Sequence, residues 1–139
     1  MNPVWIELHD VCVVWMSAVI WMIQLLVYPH FRSVPDTEFS EFHARHCYRI
    51  SYLVWPMFIE ALLCGMILFH TGLRPDWVLQ FSGISVILMA TAFLSIPDHN
   101  RLGMGKDPLA IERLIRTNWL RTAAWTLLTV AVIVRRART

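Results

Sequence analysis

The chain has 139 residues, 57% of them hydrophobic and only 16% charged, with a formal net charge of +2. A composition this apolar, with a mean hydropathy of +0.52, excludes an ordinary small soluble domain and points to lipid as the solvent. The small net charge gives no electrostatic footprint for nucleic acid, and no nucleic-acid partner is expected.

Seven tryptophans and three tyrosines suit the two interfaces of a bilayer. Cys12, Cys47 and Cys64 are odd in number and lie within the apolar runs, so they read as small core residues rather than as a disulfide framework.

In chain order, residues 1–10 carry Glu7 and Asp10 but no Lys or Arg, the wrong charge for a cleaved secretory signal, so the first apolar run is expected to be retained. A first helix starts near Pro3 and runs to the Tyr28-Pro29 break, with Gln24 its strongly polar interior side chain. A connector containing Pro35 follows, and Asp36 or Thr37 is placed to cap the next helix. That helix opens on an amphipathic stretch, 38–49, is expected to kink at Pro56, and ends before Gly72 and Pro75. The third run, 77–96, contains no charged residue and has the roughly 20-residue length that crosses a ~30 Å hydrocarbon core. Pro97 is expected to end it, and Gly103, Gly105 and Pro108 mark the loop beyond. The last helix starts near Asp107, a capping residue with Pro108 at the first position, and its end is anchored in headgroups by Arg135, Arg136 and Arg138.

These elements predict an all-α fold: one integral membrane domain over 1–139, a four-helix transmembrane bundle, up-down-up-down, with helices at about 4–28, 38–70, 77–97 and 108–135. The first and third connectors then share one membrane face. Near that face lie Arg32, Arg45, Arg49, Arg101, Lys106, Arg113 and Arg116, against Arg74, Arg135, Arg136 and Arg138 at the other. The positive-inside rule therefore places the first face in the cytoplasm of a bacterial inner (plasma) membrane. A faint internal echo accompanies this plan. Pro29-His30-Phe31-Arg32 is echoed by Pro97-Asp98-His99-Asn100-Arg101, and Arg49-Ile50-Ser51-Tyr52-Leu53 by Arg116-Thr117-Asn118-Trp119-Leu120, as in a duplicated helical hairpin.

The polar residues fall into two layers. Tyr28, His30, His43, His46, His99 and Asn100 come out at the shared face. His43 and His46 form an H-x-x-H pair one helical turn apart, and His99 is the third ligand that a divalent transition metal would need. The cofactor stays open between none and such a metal; a haem is disfavoured, since there is no C-x-x-C-H motif. Tyr28, Gln24 and His99 add hydrogen-bonding and acid-base capacity. Deeper lies Glu60, about 21 Å below His46 at ~1.5 Å per residue, and Arg121 is expected at comparable depth, on one helical face with Asn118, Thr122 and Trp125. Two readings stand for Glu60 and Arg121: an ion pair that holds two helices together, or a proton-handling and substrate-orienting pair. Trp15, Trp21, Trp55, Trp77, Trp119 and Trp125 either line an aromatic pocket or serve in packing and at the interfaces.

Pro97-Asp98-His99-Asn100-Arg101-Leu102, followed by Asn118-Trp119-Leu120-Arg121-Thr122, resembles the closing motifs of the anthrone-oxygenase-like family of small four-helix membrane proteins. The resemblance covers the last third of the chain, and Asn100, Asn118 and Arg121 are the positions that match. It implies an integral membrane bundle, some of whose members oxidise polycyclic anthrones without a recognised cofactor. Tyr28-Pro29-His30 and the His43, His46 pair have no counterpart in that pattern.

Three functions follow as expectations. The first is an oxygenase-like oxidoreductase acting on a hydrophobic aromatic or quinone-like molecule, with His99, Asn100, Asn118, Arg121, Glu60 and Tyr28 as catalytic residues. The second is a non-catalytic subunit or assembly factor, whose partner is a larger membrane complex or a homo-oligomer. The third is a small proton-coupled transporter with Glu60 as the titrating group.

Overall fold

The structure is a computed structural model and describes residues 3–138. Four helical runs, joined by short connectors, account for nearly all of them, and no strand occurs among the described residues. We label them α1 (Pro3–Ser33), α2 (Asp36–Thr71), α3 (Pro75–Gly103) and α4 (Pro108–Arg136). Each packs on its neighbours in a ring: α1 against α2 and α4, and α3 against α2 and α4.

Three of the four, α1, α2 and α3, are long and apolar enough to cross a membrane. The fourth has the length, at 29 residues, but carries Glu112, Arg113, Arg116, Asn118 and Arg121 within its first half. The outer surface is that of a lipid-solvated protein. Leu62, Phe69, Phe93 and Leu127 are exposed, while His9, Gln24, Glu60, Gln80, Asn118 and Arg121 are buried. Water would favour the reverse distribution.

The two prolines expected to end helices do not end them. α1 continues past Pro29 to Ser33, and α3 past Pro97 to Gly103. Proline removes a backbone donor, and its ring clashes with the carbonyl four residues earlier. In both helices a five-residue π-helical segment precedes the proline in the same register, Ile23–Val27 before Pro29 and Thr91–Ser95 before Pro97. Its wider turn lets the Tyr28 N–H bond the Ile23 carbonyl and the Ile96 N–H bond the Thr91 carbonyl, so each helix re-forms around the missing bond. These bulges set the azimuth of the residues that follow, Tyr28 on α1 and His99 on α3. Pro56 acts as expected: the α-helical geometry of α2 is interrupted at Trp55, between Val54 and Pro56.

Asp107 caps α4, its carboxylate accepting from the Leu109 and Ala110 N–H groups at 2.9 and 3.2 Å. Asp36 does not cap α2, where the capping position falls on Pro35 and no side-chain bond is made. Instead Asp36 pairs with Lys106 at 3.1 Å, while the Lys106 ammonium also donates to the carbonyls of Arg32 and Val34 at 3.1 and 2.7 Å. The first and third connectors are thereby fastened together at one end of the molecule. Gly72 closes α2 with φ of 71°, the left-handed conformation that glycine adopts without strain.

On α3 the Leu128 side chain of α4 packs directly on Gly83, where a Cβ would lie 2.4 Å from that buried side chain. Gly83→Val is therefore expected to force α3 and α4 apart and destabilise the fold by about 1–3 kcal/mol. Gly65→Ala, whose Cβ meets Phe81 at an ordinary 3.7 Å, serves as the tolerated control. Denaturant unfolding in mixed micelles checks this, and equal stability of the two variants would remove the close-packing argument.

Candidate functional site

At the end fastened by Lys106, a chain of hydrogen bonds starts at Arg121 and leaves in two directions. An arginine only donates, so the Tyr28 hydroxyl oxygen, 3.1 Å from Nη2, accepts from it. The tyrosine proton is then free to point to His99 Nε2, also at 3.1 Å. With Nε2 accepting, His99 carries its proton on Nδ1 and donates to His43 Nε2 at 2.9 Å. In the other direction Arg121 donates to Asn118 Oδ1, the Asn118 amide donates to Gln24 Oε1 at 2.8 Å, and the Gln24 amide donates to the Ile115 carbonyl at 3.2 Å. Each link in this line pairs one donor with one acceptor, and it ties α4, α1, α3 and α2 together. Polar links of this kind hold helices in a solvent where apolar burial cannot.

The guanidinium is nonetheless incompletely satisfied. Arg121 is 8% exposed, no carboxylate pairs with it among the described residues, and its Nε is buried without a partner. Beside it lies a cavity of about 150 Å³, lined by residues of all four helices. Its walls are mostly apolar, with Met16, Ile20, Met57, Ile87 and Trp125 among them, and its polar lining comes from Tyr28, His46, His99, Thr91, Ser95 and Arg121. A larger groove runs along Leu109, Glu112, Arg116 and Trp119, but all its lining residues belong to α4, so it is one helix face rather than an enclosed site.

The metal set expected from the sequence is changed. His43 and His99 are joined by Cys47, not His46, in the close group, their donor atoms lying within 4.8 Å of one another. His46 stacks near His99, with ring centroids 6.2 Å apart, and faces the cavity. The fit of this group to a metal is poor. Both His99 nitrogens are engaged, one with Tyr28 and one with His43, so a metal would have to break a bond that is already made. As built, the group suits the movement of a proton.

Of the other residues singled out in the sequence, Asn118, Arg121 and Tyr28 come together, whereas Asn100 is exposed and outside the network. His30 is exposed as well and bonds Ser33 at 3.1 Å. The Glu60–Arg121 pair does not form. Glu60 lies instead beside His9, with Oε1 3.2 Å from Nε2, toward the opposite end of the molecule. The expected equal depth does not hold: the partners, His9 for Glu60 and Tyr28 for Arg121, lie on the order of 28 Å apart along α1 at ~1.5 Å per residue. Of the tryptophans, Trp125 lines the cavity and Trp77 is buried beside His9, while Trp15, Trp21, Trp55 and Trp119 are exposed.

Sequence reasoning missed His9, Asp98 and Ser95. Asp98 is buried and takes a multiple hydrogen bond from Arg113, including Nε at 2.9 Å. Ser95 lies in the π segment, where regular helical counting misplaces it. An acid at 98 fifteen residues before a basic residue at 113 gave no usable signal across a loop.

Comparison with protein-family models, with curated proteins and with solved structures gave no match.

Tyr28→Phe removes the hydroxyl that both accepts from Arg121 and donates to His99. A loss of about 1–3 kcal/mol of unfolding free energy is expected, the cost of leaving a buried donor unpaired. Tyr48→Phe removes an exposed hydroxyl bonded only to Tyr52 and is expected to change stability little. If the two substitutions cost the same, the Arg121–Tyr28–His99 line carries no energetic weight.

Proposed function

We propose that this chain is a membrane-embedded oxidoreductase that uses dioxygen to oxidise a small hydrophobic molecule of the phenol or hydroquinone class. The observation that carries the reading is Arg121: a buried cation without a carboxylate, with an unpaired N–H, lining an otherwise apolar cavity. Such a group is expensive to bury unless something with negative charge, present or developing, is bound beside it. An oxygen on an aromatic ring supplies that charge, and the apolar walls receive the ring. The volume of about 150 Å³ suits a single ring, since cavities of that size hold benzene. The resemblance to anthrone oxygenases bears on the oxidation of an aromatic molecule by dioxygen more than on the substrate itself.

The proton path follows the bonds already described. The substrate hydroxyl gives its proton to the Tyr28 oxygen as Tyr28 passes its own to His99 Nε2, and His99 releases the Nδ1 proton to His43 Nε2. The oxyanion left behind is stabilised by Arg121. Dioxygen is the oxidant: it takes two electrons from the hydroquinone, the proton of the second hydroxyl and the proton returned from His43, giving hydrogen peroxide and the quinone.

In this reading the four runs cross the bilayer up-down-up-down, with the Arg121 end toward the cytoplasm, where the excess of arginine and lysine lies. The repeated π segment and proline support a duplicated helical hairpin.

The test uses the full chain in detergent micelles with a one-ring hydroquinone, following oxygen consumption and ligand binding. Arg121→Gln is expected to weaken binding about 10- to 150-fold, the equivalent of one hydrogen bond to a charged group. Ile87→Trp is expected to fill the cavity and abolish binding with the fold intact. Binding indifferent to both substitutions would sink the proposal.

A further inference from the structure

Far from the cavity, a second group of buried polar side chains has no part in the reaction proposed above. His9, Glu60 and Cys64 are all 0% exposed, and their donor atoms lie within 4.8 Å of one another. Glu60 and Cys64 are one turn apart on one face of α2, and His9 reaches them from α1.

The orientation of His9 is fixed from behind. Its Nδ1 lies 3.0 Å from Asp10 Oδ1, and Asp10 is itself held by Arg135 and by Arg136, the latter at 2.7 Å. The ring packs edge-on against Trp77 at 5.0 Å, with the Arg135 guanidinium 4.2 Å from the Trp77 ring. A carboxylate that accepts from one ring nitrogen leaves the other as a bare lone pair. That lone pair faces Glu60 Oε1 at 3.2 Å, an arrangement of two acceptors that repel unless a cation lies between them.

A proton is the simplest cation, but the contact lacks hydrogen-bond alignment, and both Glu60 oxygens are buried without a hydrogen-bond partner. One shared proton would leave Oε2 unpaired and gives Cys64 no role. A metal ion answers all three groups at once. Imidazole, carboxylate and thiolate are the donors that zinc takes at about 2.0–2.3 Å, and three protein ligands leave a fourth position open. Charge closes as well. A divalent ion balances one thiolate and one carboxylate, and Asp10 is balanced by the mostly buried Arg135, while Arg136, half-exposed, keeps its remaining charge toward solvent, so the buried group is not left with an excess that apolar surroundings would penalise.

We propose that His9, Glu60 and Cys64 form a buried site for a divalent transition metal of the zinc type, with Asp10 orienting the histidine. Unlike the His43, Cys47 and His99 group, it has a ligand nitrogen and two carboxylate oxygens that no other bond has claimed.

The experiment loads the full-length protein in micelles with Zn²⁺ for elemental analysis, and with Co²⁺ for absorption spectroscopy. About one equivalent of metal per chain is expected, with a thiolate-to-cobalt charge-transfer band. Cys64→Ser is expected to abolish the band, and Cys47→Ser to leave it unchanged. Asp10→Asn is expected to retain the site with affinity about 10- to 100-fold weaker, as loss of an orienting carboxylate does. Glu60→Gln, which keeps the shape of the side chain, guards against misfolding and is expected to lower metal content in a protein that remains monodisperse. Absence of retained metal in the well-folded wild type overturns the proposal, leaving a proton between His9 and Glu60. So does a cobalt band that survives Cys64→Ser and is lost in Cys47→Ser.

Discussion

The guanidinium of Arg121 is the point from which the polar interior is organised. It lies on α4, between helices whose outer surfaces are apolar, and reaches Tyr28 of α1 and, through it, His99 of α3 and His43 of α2. In water such a side chain would be solvated and its partners interchangeable. Inside an apolar molecule it must be satisfied by the protein, and each acceptor it recruits brings a second helix into fixed register. The direction of the chain follows from one fact, that arginine has no acceptor. Tautomers and amide orientations along the line are consequences of it.

The two prolines show how backbone chemistry serves that arrangement. A proline in a helix normally costs a hydrogen bond and introduces a clash. Here a π segment absorbs both and rotates what comes after it, at Tyr28 on α1 and at His99 on α3. These two side chains, 71 residues apart in sequence, meet at 3.1 Å. Bulges of this kind are frequent at functional sites, and in this chain they place the tyrosine and the histidine on which the proton path depends.

The interior thus holds two polar groups of different character. Around Arg121 almost every bond is made, one N–H is spare, and a cavity adjoins it. Around Glu60 acceptors converge, and both its oxygens are without a hydrogen-bond partner. The first arrangement favours an anionic or oxygen-bearing guest, the second a cation. Their separation toward opposite ends of the molecule explains why Glu60 and Arg121, the two conspicuous charges in the apolar sequence, do not neutralise one another.

Much of this was legible in the sequence. Apolar runs of spanning length, the Asp107 cap, the interruption at Pro56 and the alternation of polar breaks follow from local physics: hydropathy, the missing proline donor, and the capping preferences of short polar side chains. So did the grouping of Tyr28, His43 and His99 at one end, since antiparallel helices with short connectors return to the same side. What the sequence could not supply was a common depth reference and azimuth. Helical rise counted from different starting residues put Glu60 and Arg121 at one depth when they lie several turns apart, and partner choice depends further on rotation about the axis. Rotation is set by π segments and by close approaches such as Gly83 against Leu128, which become definite only when all four helices pack. Tertiary structure therefore decided that Glu60 faces His9, that Cys47 rather than His46 joins His43 and His99, that Asn100 turns outward, and that Arg121 is left with a cavity instead of a carboxylate.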